Sequence, residues 1–159
     1  MKRDDLLNLP LEELARLCRV ESFRGVGPGG QKRNKTETAV RVTLESEALS
    51  AFDDQTRSQH QNKNHALRKL RLLIALHCRQ APGPWTAAVP SPNSPAWEIW
   101  LGAAVDALDK TQYHLAEAAA LLGCSTNQLA KNLGQRPAVW QFLNQQRQQR
   151  GLSPLRMNP

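Results

Sequence analysis

Gly25-Val26-Gly27-Pro28-Gly29-Gly30-Gln31-Lys32-Arg33-Asn34-Lys35-Thr36-Glu37 is the stretch on which the reading of this chain turns. Gly25, Gly27 and Gly30 satisfy a G-x-G-x-x-G spacing, and Val20 and Phe23 suggest a short strand ahead of them. A dinucleotide site would need these glycines to open an apolar-faced helix inside a βαβ unit. Residues 31–38 offer no apolar face, Pro28 fits the turn poorly, and the next pattern is already that of a strand. The glycines therefore point elsewhere. Gly29 and Gly30 permit positive φ and a close approach of backbone to a ligand. Gln31 adds a backbone N–H and an uncharged amide that can sit beside a reacting centre without bringing a charge. Lys32, Arg33 and Lys35, with Asn34 between them, supply phosphate contacts next to the tip. A surface turn with a solvated basic flank is the plainer alternative.

Working outward, residues 38–44 alternate, with Val40, Val42 and Leu44 on one face, so they read as a strand. Residues 49–52 suggest a third, weaker one. On the other side, Leu11, Leu14, Ala15 and Cys18 fall at i, i+3, i+4 and i+7 and predict a short amphipathic helix over 11–18. Glu12 and Glu13 sit in its first turn, where the helix dipole favours them. Residues 57–79 read as a long helix with Ala66, Leu67, Leu70, Leu73, Ile74 and His77 in one stripe. This segment carries Arg57, Lys63, Arg68, Lys69, Arg71 and Arg79 and no acidic residue. At 100° per residue, Arg68 and Arg79 lie opposite the Leu67, Leu70 and Ile74 stripe. One face can pack on a sheet while another meets RNA phosphates; a merely solvated basic face is the alternative.

Gly29-Gly30-Gln31, followed by Asn34, Thr36 and Ala39-Val40-Arg41, and then by Arg57-Ser58-Gln59, Asn62-Lys63 and Ala66, resembles the catalytic GGQ domain of bacterial class I peptide chain release factors and related ribosome-rescue peptidyl-tRNA hydrolases. The resemblance runs from about residue 19 to residue 76. There are departures. Val26 stands where the family usually has serine, and Lys32 and Arg33 stand where histidine and valine often follow. The family's Pro-Thr-Gly turn between the second and third strands is replaced by residues 45–49. The resemblance implies a small sheet with a packed basic helix, and a tip that enters the peptidyl transferase centre beside the P-site tRNA. There water attacks the peptidyl-tRNA ester, and the backbone N–H of Gln31 stabilises the developing oxyanion. The basic and polar residues themselves supply the expected RNA-binding set, Lys32, Arg33, Asn34, Lys35, Arg57, Lys63, Arg68, Lys69 and Arg71, and the resemblance makes Gly29, Gly30 and Gln31 the catalytic residues. It also implies large-subunit rRNA and peptidyl-tRNA as partners, and a glutamine N-methyltransferase that modifies Gln31. An RNA- or ribosome-binding protein of the same fold without turnover is the competing reading.

Beyond residue 79 the composition shifts. Pro82, Pro84, Pro90, Pro92 and Pro95 are half of the chain's 10 prolines, and they predict a stiff linker or a long ordered loop. Helices are then expected over 97–108, 115–122, 127–133 and 137–150. Residues 115–129, with Ala119, Gly123 and Leu129 at the small, turn and core positions, resemble a helix-turn-helix. The second of these helices offers only Lys131 as a cation, beside Asn127, Gln128 and Asn132, so sequence-specific DNA reading, general RNA contact and a packing or partner-binding role all stay open. No acidic residue follows Glu117, while Lys131, Arg136, Arg147, Arg150 and Arg156 remain. Trp97, Trp100 and Trp140 sit among apolar helical positions and are expected as core anchors. Nothing here matches a codon-reading domain or the dense basic tail of the small rescue hydrolases. The expected organisation is α+β: a GGQ domain over 1–79, a Pro-rich linker over 80–96, and a small α-helical module over 97–159. The expected activity is codon-independent hydrolysis of peptidyl-tRNA.

Composition bounds these readings. The chain has 159 residues and a formal net charge of +7, with a pI near 9.8, which favours a polyanionic partner and salt-sensitive binding. No apolar run approaches the ~20 residues of a membrane span, and residues 1–10 lack a secretion-signal pattern, so a cytoplasmic protein is expected, monomeric and without a membrane partner. Cys18, Cys78 and Cys124 are odd in number and lack C-x-x-C spacing. They read as buried free thiols in a reducing compartment, and the scattered histidines add no metal site. Neither a metal nor a cofactor is expected.

Overall fold

The computed structural model describes residues 1–24 and 37–156. The chain divides into two compact units, Asp5–Cys78 (with Met1) and Lys2–Asp4 together with Arg79–Pro159. Helix α1 spans Arg3–Asn8.

The first unit continues with α2 (Leu11–Arg16), β1 (Arg19–Phe23), β2 (Ala39–Leu44), β3 (Leu49–Asp53) and α3 (Gln59–His77). The strands form an antiparallel sheet in the order β1-β2-β3. Val40, Val42 and Leu44 are buried on one face, as the alternation requires, and α3 lies over β2 and β3 on that side. Ala66, Leu67, Leu70 and Ile74 of α3 are buried, whereas His77, expected in the same stripe, is exposed in the last turn. Fully burying a side chain such as Leu67 or Leu70 stabilises by about 1.5–3 kcal/mol, so this stripe holds the helix to the sheet. Ser58 caps α3 by accepting a hydrogen bond from the Gln61 amide at 3.2 Å. The helix therefore starts after Arg57 and ends before Arg79, inside the range that periodicity alone predicts.

The turn between β2 and β3 is solved without the missing Pro-Thr-Gly. Residues Glu45–Glu47 make a single 3-10 turn, and Ala48 closes it at φ 54°, ψ 37°. Leu44 and Leu49 then pair directly. The third strand is thus in register, with Ala48 in a left-handed conformation that costs a non-glycine residue about 1–2 kcal/mol.

The second unit contains α4 (Trp97–Lys110), α5 (Leu115–Leu122), α6 (Thr126–Leu133) and α7 (Pro137–Gln149). Trp97 and Trp100 are buried together, rings 5.7 Å apart, while Trp140 is half-buried. Gly123 ends α5 at φ +82°, which favours glycine, and Ser125 and Gln128 form a reciprocal capping box that starts α6. Residues 79–96 hold no regular element, but they are tied down: the Trp85 amide donates to Leu122 O at 3.2 Å, and Arg136 donates to Pro92 O at 2.5 Å.

Asp106 organises a polar cluster in this unit. Its carboxylate is 4% exposed and accepts from Arg3 at 2.6 Å, Arg79 at 3.0 Å and the Gln80 amide at 3.0 Å. Gln80 in turn exchanges hydrogen bonds with Asp4, at 3.1 and 3.0 Å. Gly102 makes room for this: a β-carbon there would lie 2.5 Å from Arg3 Nε. Periodicity predicts no helix at residues 3–8. Their only sign is a Leu6-Leu7 pair, both buried, too short a pattern to carry a period.

Candidate functional site

Phe23 and Ala39 are register partners at one end of the sheet. The glycine-rich stretch thus leaves and rejoins the fold at neighbouring backbone positions. The stretch itself, with Gly29, Gly30, Gln31, Lys32, Arg33, Asn34 and Lys35, lies outside the described residues. What is described is the footing that holds its returning end.

That footing is Asn62. It is 0% exposed, and its amide nitrogen donates to Thr38 O at 2.8 Å and to Thr56 O at 2.9 Å. Its amide oxygen accepts from the Thr56 amide at 3.0 Å and from Thr56 Oγ1 at 2.8 Å. One side chain in the first turn of α3 thereby bolts the approach to β2 and the β3–α3 connection together. Leaving such a buried polar group unmatched costs about 1–3 kcal/mol, so the arrangement is over-determined. The sequence holds a signal for it that periodicity alone passes over: an asparagine four residues ahead of Ala66, on the buried stripe.

Asp53, at the end of β3, is 3% exposed. It pairs with Lys69 Nζ at 2.7 Å and His65 Nδ1 at 3.4 Å, and accepts from the Gln55 amide at 3.1 Å. Burial alone would raise its pKa, but the Lys69 hydrogen bond, the Gln55 amide, the Lys69 charge and His65 outweigh it and hold the carboxyl below its ordinary value.

The expected RNA-binding side chains separate into three groups. Arg57 and Arg68 are exposed, Lys63 is half-buried, and none of the three forms an ion pair among the described residues. Lys69 is exposed but committed to Asp53 and to Phe52 O at 3.1 Å. Arg71 corrects the expectation. It is 7% exposed, and its guanidinium donates to Leu7 O at 2.6 Å and Leu9 O at 3.1 Å. It fastens the α1–α2 segment to α3, and a charge run read from sequence does not reveal which cation points inward.

Arg147 and Arg150 are likewise used within their own unit. Arg147 donates to Tyr113 O at 2.6 Å and Ser153 O at 2.9 Å, and Arg150 stacks 4.5 Å from the Tyr113 ring centroid. The three cysteines are free but half-buried rather than buried; burial raises the thiol pKa of Cys18 and Cys124. No group of three metal-ligating side chains occurs among the described residues. No helix among them is long and apolar enough to cross a membrane.

The model of the RF-1 domain family matches residues 12–83. A peptide chain release factor homolog of Escherichia coli is 41% identical over 80 residues, covering 50% of this chain and 37% of that protein. Peptide chain release factor 2 of Paramagnetospirillum magneticum is 38% identical over 68 residues, 43% of this chain and 18% of that protein. Peptide chain release factor 1 of Ehrlichia canis is 43% identical over 53 residues, 33% of this chain and 15% of that protein. The chain spans less than two fifths of the length of each of these relatives, and residues 12–83, which the family model matches, include Gly29-Gly30-Gln31.

Proposed function

We propose, for a chain whose residues 12–83 match the RF-1 domain family, that it hydrolyses the ester of peptidyl-tRNA on the ribosome. The observation that carries this reading is Gly29-Gly30-Gln31 set between register-paired strand ends, Phe23 and Ala39. Ester hydrolysis with this set needs no side-chain nucleophile. Water attacks the ester carbonyl carbon, the bond to the ribose oxygen breaks, and the ribose oxygen takes up a proton as the peptide leaves with a free carboxylate. The Gln31 N–H donates to the oxyanion of the tetrahedral intermediate, a contribution that elsewhere amounts to about 10²–10³ in rate per donor. The Gln31 amide helps admit and place the water. The glycines allow the backbone path that aims the N–H, and Asn62 fixes the footing from which the path returns. Arg57, Lys63 and Arg68 supply phosphate contacts to large-subunit rRNA.

The finer reading is that release does not require a stop codon and serves stalled ribosomes in the cytoplasm. The helical unit on the C-terminal side of the domain supports it. The helices of residues 97–149 spend Trp97, Leu101, Leu108, Leu129, Leu133 and Leu143 on burial, as a compact packed module would. N-methylation of Gln31 by a dedicated methyltransferase and action as a monomer belong to the same proposal.

The test is release of labelled peptide from ribosome complexes with an empty A-site, a sense codon or a stop codon. Comparable release from all three is expected, and Gly30→Ala should lose it by at least about 10²-fold while still binding ribosomes. Near wild-type release by Gly30→Ala would overturn the catalytic assignment. A strong preference for stop codons would overturn codon independence. Binding without release by the wild-type chain would favour an RNA-binding protein of this fold.

A further inference from the structure

The sheet positions that alternate with its buried ones carry an aromatic pair that the hydrolytic reading leaves without a task. Phe52 of β3 is 52% exposed, and its ring lies 6.4 Å from that of Phe23, the last residue of β1. Large exposed aromatics are costly to leave in water and mark contact surfaces when they cluster. Two cations accompany the pair. Arg41 of β2, the register partner of Phe52, sits 5.2 Å from the Phe23 ring centroid, and Lys69 sits 6.0 Å from that of Phe52. An open depression of about 820 Å³ is lined by these four side chains together with Leu72 and Leu73 of α3.

We infer that Phe52 and Phe23, with Arg41 beside them, form a stacking site for one unpaired nucleotide of single-stranded RNA. The chemistry selects that occupant. An exposed ring offers a flat π-face to a base, and base–aromatic stacking tolerates any of the four bases. Arg41 has no carboxylate partner among the described residues, so its guanidinium is free to meet the adjoining phosphate. Lys69 stays paired with Asp53 and keeps its aliphatic stem against the depression. Acidic groups also face the patch: Asp54 lines the depression, and Glu21 is the register neighbour of Arg41 on β1. They oppose a long phosphate track, which is why the site takes one base and one phosphate. A duplex cannot use it, because its bases are already stacked. The site stands next to the strand end where the glycine-rich stretch departs, so an unpaired rRNA nucleotide caught there would steady that end of the sheet. This inference rests on the RNA-facing part of the proposed function and not on ester hydrolysis.

The test uses the full chain and a labelled oligoadenylate of about ten nucleotides, read by fluorescence anisotropy, against the same strand annealed to its complement and against heparin as a polyanion without bases. Phe52→Leu keeps the apolar character of the position and removes the ring; Phe52→Trp enlarges the π-face. The single strand should bind Phe52→Leu between about fivefold and about a hundredfold more weakly than wild type. It should bind Phe52→Trp at least as well as wild type. Duplex and heparin affinities should stay within about twofold for both variants. Gly30→Ala should bind the single strand like wild type, so failure of this site and failure of the hydrolytic reading are told apart. The inference is overturned if the wild-type chain does not bind the single strand. It is equally overturned if Phe52→Leu leaves that binding intact, if heparin and duplex binding fall in parallel, or if Phe52→Trp is as weak as Phe52→Leu.

Discussion

Asn62 spends both ends of one amide on backbone and hydroxyl groups from two other segments. Asn62→Ala should therefore destabilise the chain by about 2–4 kcal/mol, since several buried groups lose partners at once. Because Thr38 lies just after the glycine-rich stretch, the same variant should lose release activity even at temperatures where it remains folded. Denaturant titration and peptide release, run on one preparation, check both halves; unchanged stability would show that the footing is redundant. Ala48 offers the opposite case. It holds φ 54° with a β-carbon attached, so Ala48→Gly should raise stability by about 0.5–1 kcal/mol, the relief of strain outweighing the added freedom of the unfolded chain. A lower melting temperature for Ala48→Gly would contradict that assignment.

Helix α3 meets the sheet on one side and solvent on the other, and the cations on it and just ahead of it do unlike jobs. Neutralising Arg57, Lys63 and Arg68 together should weaken ribosome binding and flatten its logarithmic salt dependence by up to about one unit for each phosphate no longer neutralised. Arg71→Met should leave that slope unchanged and instead loosen the fold, because its guanidinium serves Leu7 and Leu9 carbonyls. A changed slope in Arg71→Met would restore it to the RNA-facing set. At the end of β3, Asp53 has a folded-state pKa held below its unfolded value. Its contribution is present above the ordinary carboxylate pKa of about 3.9 and is lost as pH falls through the lower folded value. Lys69 is half exposed, so the effect is modest, about 1 kcal/mol. Asp53→Asn should remove this part of the stability at neutral pH and flatten its loss in acid, as urea titrations at pH 7 and pH 3 would register. At this scale the sequence was most legible. Alternation placed β2, a 3.6-residue stripe placed α3, and the Gly123-Cys124-Ser125 turn separated α5 from α6. Direction was not legible: nothing in Arg68-Lys69-Leu70-Arg71 says that the last cation turns inward. The Asp53 cluster also escaped, because its members are drawn from β3 and α3 and meet only once the helix packs.

Over the whole chain, the division into Asp5–Cys78 and Lys2–Asp4 with Arg79–Pro159 was beyond the reach of pattern, since it joins the first residues to the second half of the chain through side chains. Asp106 is the means, accepting from Arg3, which is almost fully buried, and from Arg79, which is largely so. Removing this carboxylate takes away the ion pairs it makes with Arg3 and Arg79 and leaves Arg3 its bond to the partly exposed Asp4 at 2.9 Å, so Asp106→Ala should cost the second unit about 3–5 kcal/mol. Calorimetry should show one of two melting transitions shifted and the other nearly in place; a uniform shift would mean that the units melt as one. The Asp4–Gln80 hydrogen bonds carry a broader consequence. The points where the chain leaves the helical unit and re-enters it lie side by side, so residues 5–78 have the topology of a cassette inserted into a host. A host whose cut ends already touch needs almost no loop entropy to close. Splicing residue 4 to residue 79 through a short Gly-Ser bridge should give a helical protein that folds alone, and the same two junctions should accept a foreign domain whose own termini are close together.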